Sequence, residues 1–182
     1  MPSTRYANAL SRNLAELQRA ILDRTLLVAI EKERAAGSGF LRLAYMALFN
    51  DYVAHCIKVF EKSTRVASFW YLYRTDQHLC DAWARSQKID VPAMDAVATK
   101  LKHIRDLTHF HIDVDAVLDA KAVWKTAGLR GKELASAVDA AWSLTTQLQK
   151  HHGLPEVTLP EDYTVRRMQR EISAFKAAAS KM

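Results

Sequence analysis

The sequence predicts an all-α protein, a helical bundle with an appended C-terminal helix. Three observations carry that prediction. Only five glycines and four prolines punctuate 182 residues, so turns are few and elements long. Alanine, leucine, lysine, arginine and glutamine are plentiful, and these favour helix over sheet. Apolar residues recur at helical three-four spacing along most of the chain, while no segment alternates as a strand would. With 49% of residues hydrophobic, one compact domain can bury a real core.

Ser3 or Thr4 can cap a first helix, whose apolar stripe is Leu10, Leu14, Leu17, Ile21 and Val28. Gly37-Ser38-Gly39 ends it, because glycine tolerates the left-handed backbone at a helix C-terminus. A second helix starts near Ser38 with a buried face of Leu41, Tyr45, Leu48, Tyr52, Cys56 and Val59, and breaks at Lys62-Ser63-Thr64. The segment from Arg65 to Lys88 carries Phe69, Trp70, Tyr71, Tyr73 and Trp83, and is expected to split near Thr75-Asp76. Such aromatic density suits a packing surface or an interface; with Arg74 and Lys58 nearby it also suits stacking on RNA bases.

Asp90-Val91-Pro92 is a helix start, a capping Asp with Pro in the first turn. Met94, Val97, Leu101 and Ile104 form that helix's buried stripe. After Asp113 the periodicity weakens, with Asp113, Asp115 and Asp119 punctuating turns. A short helix over Ala120 to Ala127 ends at Gly128, and a longer one marked by Leu134, Val138, Ala141, Thr145 and Leu148 stops at Gly153 and Pro155. Residues 1–152 therefore read as one bundle and 153–160 as a linker. Residues 161–182 read as a terminal helix docking on the same domain or a partner, with a seam of Val165, Met168, Ile172, Phe175 and Ala179.

The formal charge of +6 is compatible with a polyanionic partner. No apolar run approaches the length of a membrane span. The N-terminus lacks the apolar core of a secretion signal, so a cytoplasmic protein without a membrane partner is expected. Cys56 and Cys80 form no CxxC pair and read as buried thiols.

The chemistry concentrates in Lys102-His103-Ile104-Arg105-Asp106-Leu107-Thr108-His109-Phe110-His111-Ile112-Asp113. Histidine titrates near neutral pH and can move a proton. Arginine stays charged and can fork onto phosphate oxygens. One of each permits metal-free attack of an RNA 2′-hydroxyl on its own phosphate. Asp106 could hold the arginine or orient the histidine. Six steps along a straight helix, with five residues between, put the side chains of Arg105 and His111 about 240° apart. If the two act together, the helix must kink, end or reopen between them. Thr108 and Asp106 are plausible agents, since short polar side chains compete for backbone hydrogen bonds.

This stretch resembles the signature of HEPN domains: an Arg, a polar neighbour, and a His after four to six intervening residues. Ile104-Arg105-Asp106, Phe110-His111-Ile112-Asp113, Trp124 and Ala127-Gly128-Leu129 are similar to the branch related to the phage abortive-infection protein AbiU, as are Asn50-Asp51-Tyr52 and Ser68-Phe69-Trp70. The likeness covers roughly residues 40 to 150. It implies a helical homodimer whose two motifs meet as one composite RNase site, needing no metal or other cofactor and leaving 2′,3′-cyclic phosphate ends. The family's Arg corresponds to Arg105, its polar neighbour to Asp106 and its His to His111. His109, Thr108 and Asp113 are candidate supporting residues; His109 stands where an aromatic or apolar residue is usual and competes with His111 for the proton-transfer role. A toxin or phage-defence role, with RNA as substrate and an antitoxin protein as a further partner, follows from the same resemblance.

Three other readings compete. Arg105 could only bridge Asp106 or Asp113 while His111 caps a helix end, leaving a non-catalytic dimer that binds RNA or a partner protein. His109, His111 and Asp113 have a His-x-His-x-Asp metal spacing, but the enzymes that use it need a β-sandwich. Asp51 and His55 share a helix face as a candidate dyad, and His151-His152 sit favourably at a helix C-terminus. There is no glycine-rich phosphate loop, nucleophile elbow or paired-cysteine zinc site.

Overall fold

The computed structural model of the chain describes residues 2–34, 39–109 and 120–179. Those residues form eight α-helices and one π-helical turn, with no strand among them. In order they are α1 (Thr4–Lys32), α2 (Gly39–Phe60), α3 (Phe69–Thr75), α4 (Gln77–Gln87), α5 (Val91–Ile104), the π turn (Arg105–His109), α6 (Ala120–Ala127), α7 (Gly131–His151) and α8 (Val165–Ala179). The chain is all-α, as its composition and spacing require.

Local chemistry sets the helix ends. The Ser3 hydroxyl accepts from the Tyr6 amide at 3.3 Å and opens α1. The Asp90 carboxylate accepts from the Ala93 amide at 2.9 Å and opens α5, with Pro92 in the first turn. Gly128 and Gly153, at φ of +59° and +63°, close α6 and α7 in the left-handed region. The aromatic segment breaks at Asp76, between α3 and α4. α1 stops at Lys32, with Arg34 in the left-handed region at φ +50°, ahead of the expected stop at Gly37, which itself lies outside the described residues.

Two compact units emerge from the contacts: Met1–Leu17 with Cys56–Val157, and Gln18–His55 with Thr158–Met182. This division does not follow chain order, whereas the sequence groups residues 1–152 into one body and sets 161–182 apart. The reason is that α8 finds its apolar partners on α1 and α2. In the second unit Met168 and Ile172 of α8 pack with Ala29, Ile30 and Leu41. Glu33 accepts from Gln169 at 3.1 Å and from Ser173 at 2.7 Å, adding polar fastenings to the same seam. Along α1 the buried residues move from Ile21 to Leu27, Ala29 and Ile30, so Val28, expected in the stripe, is only half-buried.

In the first unit α7 packs against α3, α4 and α5. Leu10, Leu14, Leu17, Phe60, Phe69, Leu72, Leu101, Ile104, Leu144 and Leu148 are fully buried there. Phe69 lies 6.2 Å from Phe60 and 5.2 Å from Trp70 between ring centres, both edge-to-face. Each such pair adds roughly 0.5–1.5 kcal/mol to the burial itself. Phe69, Trp70 and Tyr73 are all buried. Those three rings are spent on the core, as a packing surface requires, while Tyr71 and Trp83 of the same segment are half-buried.

Asp76, at the break between α3 and α4, ties that break to two other elements. The Tyr6 hydroxyl of α1 donates to its carboxylate. The His152 ring at the end of α7 lies 3.0 Å from the same oxygen, which gives His152 a structural role. Burial works against the Asp76 charge, but the bonds from Tyr6 and His152 and the nearby imidazoles outweigh it and hold its pKa below the ordinary value. Burial, the bond to Asp76 and its charge push the Tyr6 phenol well above its usual range.

Asp76→Asn is expected to lower stability at pH 7 by roughly 1–3 kcal/mol. Because the folded pKa lies below the unfolded value of about 3.9, the contribution is present above that value and is lost as pH falls through the folded one. Urea unfolding of wild type and variant at pH 7, and stepwise below pH 4, should show their difference closing; a constant difference would refute the ionised carboxylate as the stabilising species.

Candidate functional site

The site is built at the C-terminal end of α5. Leu101 and Ile104 are buried and fix the last turn against the core. At Arg105 the helix widens into a π turn that runs to His109. The Thr108 hydroxyl donates to the Ile104 carbonyl at 2.7 Å, within that turn. A π turn closes i→i+5 rings, so the side chains after Arg105 are re-aimed relative to α5. The reopening expected between Arg105 and His111 therefore begins at Arg105 itself, with Thr108 as one agent. Asp106 engages side chains instead.

Arg105 is gripped from two directions. Its Nε and Nη2 approach Asp106 Oδ1 at 2.8 and 2.6 Å. Its Nη1 pairs with Glu61, just beyond the end of α2. Lys102 reaches the other Asp106 oxygen from one turn back. Burial would raise the Asp106 pKa, but the hydrogen bonds from Lys102 and Arg105 and their charges lower it, so this carboxylate stays ionised. The Arg105 side chain keeps 24% of its surface exposed.

Glu61 also orders the connection that follows α2. Its Oε1 accepts from the Ser63 amide at 3.1 Å, while its backbone carbonyl accepts from the Ser68 hydroxyl at 2.5 Å. Buried Asn13 of α1 donates to the Ala9 and Ala67 carbonyls, both at 2.8 Å. The connection is thereby pinned to α1 at one end and to Arg105 at the other.

These elements enclose an open cleft of about 510 Å³. Arg12, Asn13 and Glu16 of α1, Ile57 and Lys58 of α2, Glu61, Arg65, Val66 and Ala67 of the connection, and Arg105 line it. Lys58 pairs with Glu16 at 3.2 Å. Four cations and two carboxylates meet here, which leaves the cleft net positive. A larger groove of about 730 Å³ between α5 and α7 mixes alanines with Lys88, Lys100, Lys132, Asp90, Glu133 and Asp139, and contains no motif residue.

Arg105, Asp106 and Thr108 are thus brought together. His109 belongs to the π turn by its backbone, whereas His111, Asp113 and the proposed His-x-His-x-Asp ligands beyond His109 lie outside the described residues. In the second unit His55, of the candidate pair Asp51 and His55, lies 3.9 Å from the Asp23 carboxylate of α1. Burial pushes the Asp23 pKa up, with His55 opposing. Both cysteines are buried thiols, and burial pushes the Cys80 thiol up to about 12, which removes it as a nucleophile.

Sequence reasoning passed over Glu61, Arg12, Asn13 and Arg65. One signal was available: Asn13 stands at i+3 from Leu10 and i−4 from Leu17, a polar residue on an apolar stripe. Glu61 and Arg65, in an irregular connection, carried no periodic signal at all. No protein-family model, curated protein or solved structure matches the chain.

Arg105 and Glu61 should behave as a coupled pair. Unfolding of Arg105→Ala, Glu61→Ala and the double variant is expected to give a coupling energy of roughly 0.5–3 kcal/mol; additive losses would show that the bridge contributes nothing.

Proposed function

We propose that the chain is a metal-independent endoribonuclease of the HEPN type, acting on RNA as a homodimer. The observation that carries this reading is Arg105: a cation at a π-helical turn, held by Glu61 and Asp106 on the wall of a net-positive cleft. π turns are frequent at functional sites, and a guanidinium there suits a phosphodiester. Arg105 stabilises the negative charge that builds on the phosphate oxygens. Asp106 orients Arg105. His111 takes the proton from the 2′-hydroxyl, and His109 and Asp113 support it. The 2′-oxygen then bonds to phosphorus, the bond to the 5′-oxygen breaks, and the departing 5′-oxygen takes up a proton from water. The products are a 2′,3′-cyclic phosphate and a 5′-hydroxyl, with no redox change. A cytoplasmic toxin or phage-defence role, held in check by an antitoxin protein, belongs to the same reading.

One observation favours a second reading. Two carboxylates already occupy the Arg105 guanidinium, which suits a structural arginine in a non-catalytic helical dimer that binds RNA or a partner protein. Cleavage of a labelled single-stranded RNA pool in EDTA separates the two. Wild type should cut and leave cyclic-phosphate ends, while His111→Ala and Arg105→Ala should each lose at least about 100-fold in rate, the low end for general acid–base catalysis. Equal cleavage by His111→Ala would overturn the enzymatic assignment.

A further inference from the structure

We propose that the cleft beside Arg105 is a binding subsite for the backbone of single-stranded RNA, in which Arg12 and Arg65 hold the two phosphodiesters flanking the one at Arg105. The inference rests on the ribonuclease reading and adds to it the residues that hold the strand.

Of the four cations in the cleft, two are neutralised in place. Lys58 is paired with Glu16, and Arg105 with Glu61. Arg12 and Arg65 are exposed and make no ion pair with any described residue. The excess charge of the cleft therefore sits on these two guanidiniums, one on α1 and one on the connection after α2. Two single positive charges match two singly charged phosphodiesters, and guanidinium is suited to forking onto their oxygens. Asn13 bridges α1 to Ala67, so the elements carrying Arg12 and Arg65 are fastened together before any ligand arrives, which lowers the ordering cost of binding.

The remaining lining defines what lies between the phosphates. Val66 is 41% exposed, and with Ala67 it gives an apolar wall for a ribose or base edge. Among the described residues the cleft lining contains no aromatic ring and no side-chain amide other than Asn13, whose donor is already committed to backbone carbonyls. Bases would be neither stacked nor read, so binding is independent of sequence and dominated by phosphate contacts. At about 510 Å³ the cleft falls in the range of small-ligand pockets, which suits a strand of one or two nucleotides better than a duplex.

The test is fluorescence anisotropy with a labelled 2′-O-methyl RNA, which cannot be cleaved, titrated over a range of salt. Wild type should bind with a salt slope that falls by about 0.7 for each phosphate contact removed, so R12Q/R65Q should lose about 1.4 from that slope. Arg12→Lys with Arg65→Lys should restore it. Arg166→Gln with Arg170→Gln, exposed charges on α8, should leave it unchanged. Unfolding midpoints confirm that each variant is folded. If wild type binds and R12Q/R65Q binds with the same slope, the subsite assignment fails while the ribonuclease reading stands. An equal loss from the α8 pair would overturn the subsite as general surface charge. Polyglutamate binding more tightly than RNA, and losing that affinity in R12Q/R65Q, would overturn it in favour of an acidic protein. No RNA binding by wild type would sink both readings together.

Discussion

The ion pair between Arg105 and Glu61 is the constraint on which the candidate site depends. It joins the C-terminal end of α5 to the connection that leaves α2, two places where regular helix stops. Helix ends leave carbonyls and amides unsatisfied, and side chains must supply the missing partners. Glu61 holds both sides of this junction, accepting from the Ser63 backbone amide with one oxygen and pairing with the Arg105 guanidinium through the other. The cost of desolvating these charges is offset only because both remain partly exposed and each has more than one partner.

The π turn has the same origin. A regular α-helix continued past Ile104 would carry Arg105 and the residues after it around the axis in the old register. The wider turn breaks that register where the motif begins, and Thr108 bonds back to the carbonyl of the last α-helical residue. Widened helix is less favourable than α-helix. It persists here because Ile104 is anchored in the core on one side and Arg105 is bridged on the other.

The cleft shows how charge is distributed by pairing. Lys58 and Arg105 are cations with partners close by, while Arg12 and Arg65 are exposed. The formal net charge of +6 for the chain says nothing of this difference. The electrostatic field at a surface comes from the charges left unpaired, and pairing is a property of the folded chain.

Much of this protein was legible before folding. The helices were readable because burial imposes a three-four period on each one, and Asp90, Pro92, Gly128 and Gly153 act on backbone only one or two residues away. Such local effects survive in a one-dimensional string. So did Arg105 and Asp106, neighbours in one motif. What tertiary structure alone decided were the pairings between distant residues: Asn13 with Ala67, Glu61 with Arg105, Tyr6 and His152 with Asp76, and α8 with the apolar residues of α1 and α2. Each depends on which faces meet when the core closes. Periodicity reports that a face is buried and carries no information on what it is buried against.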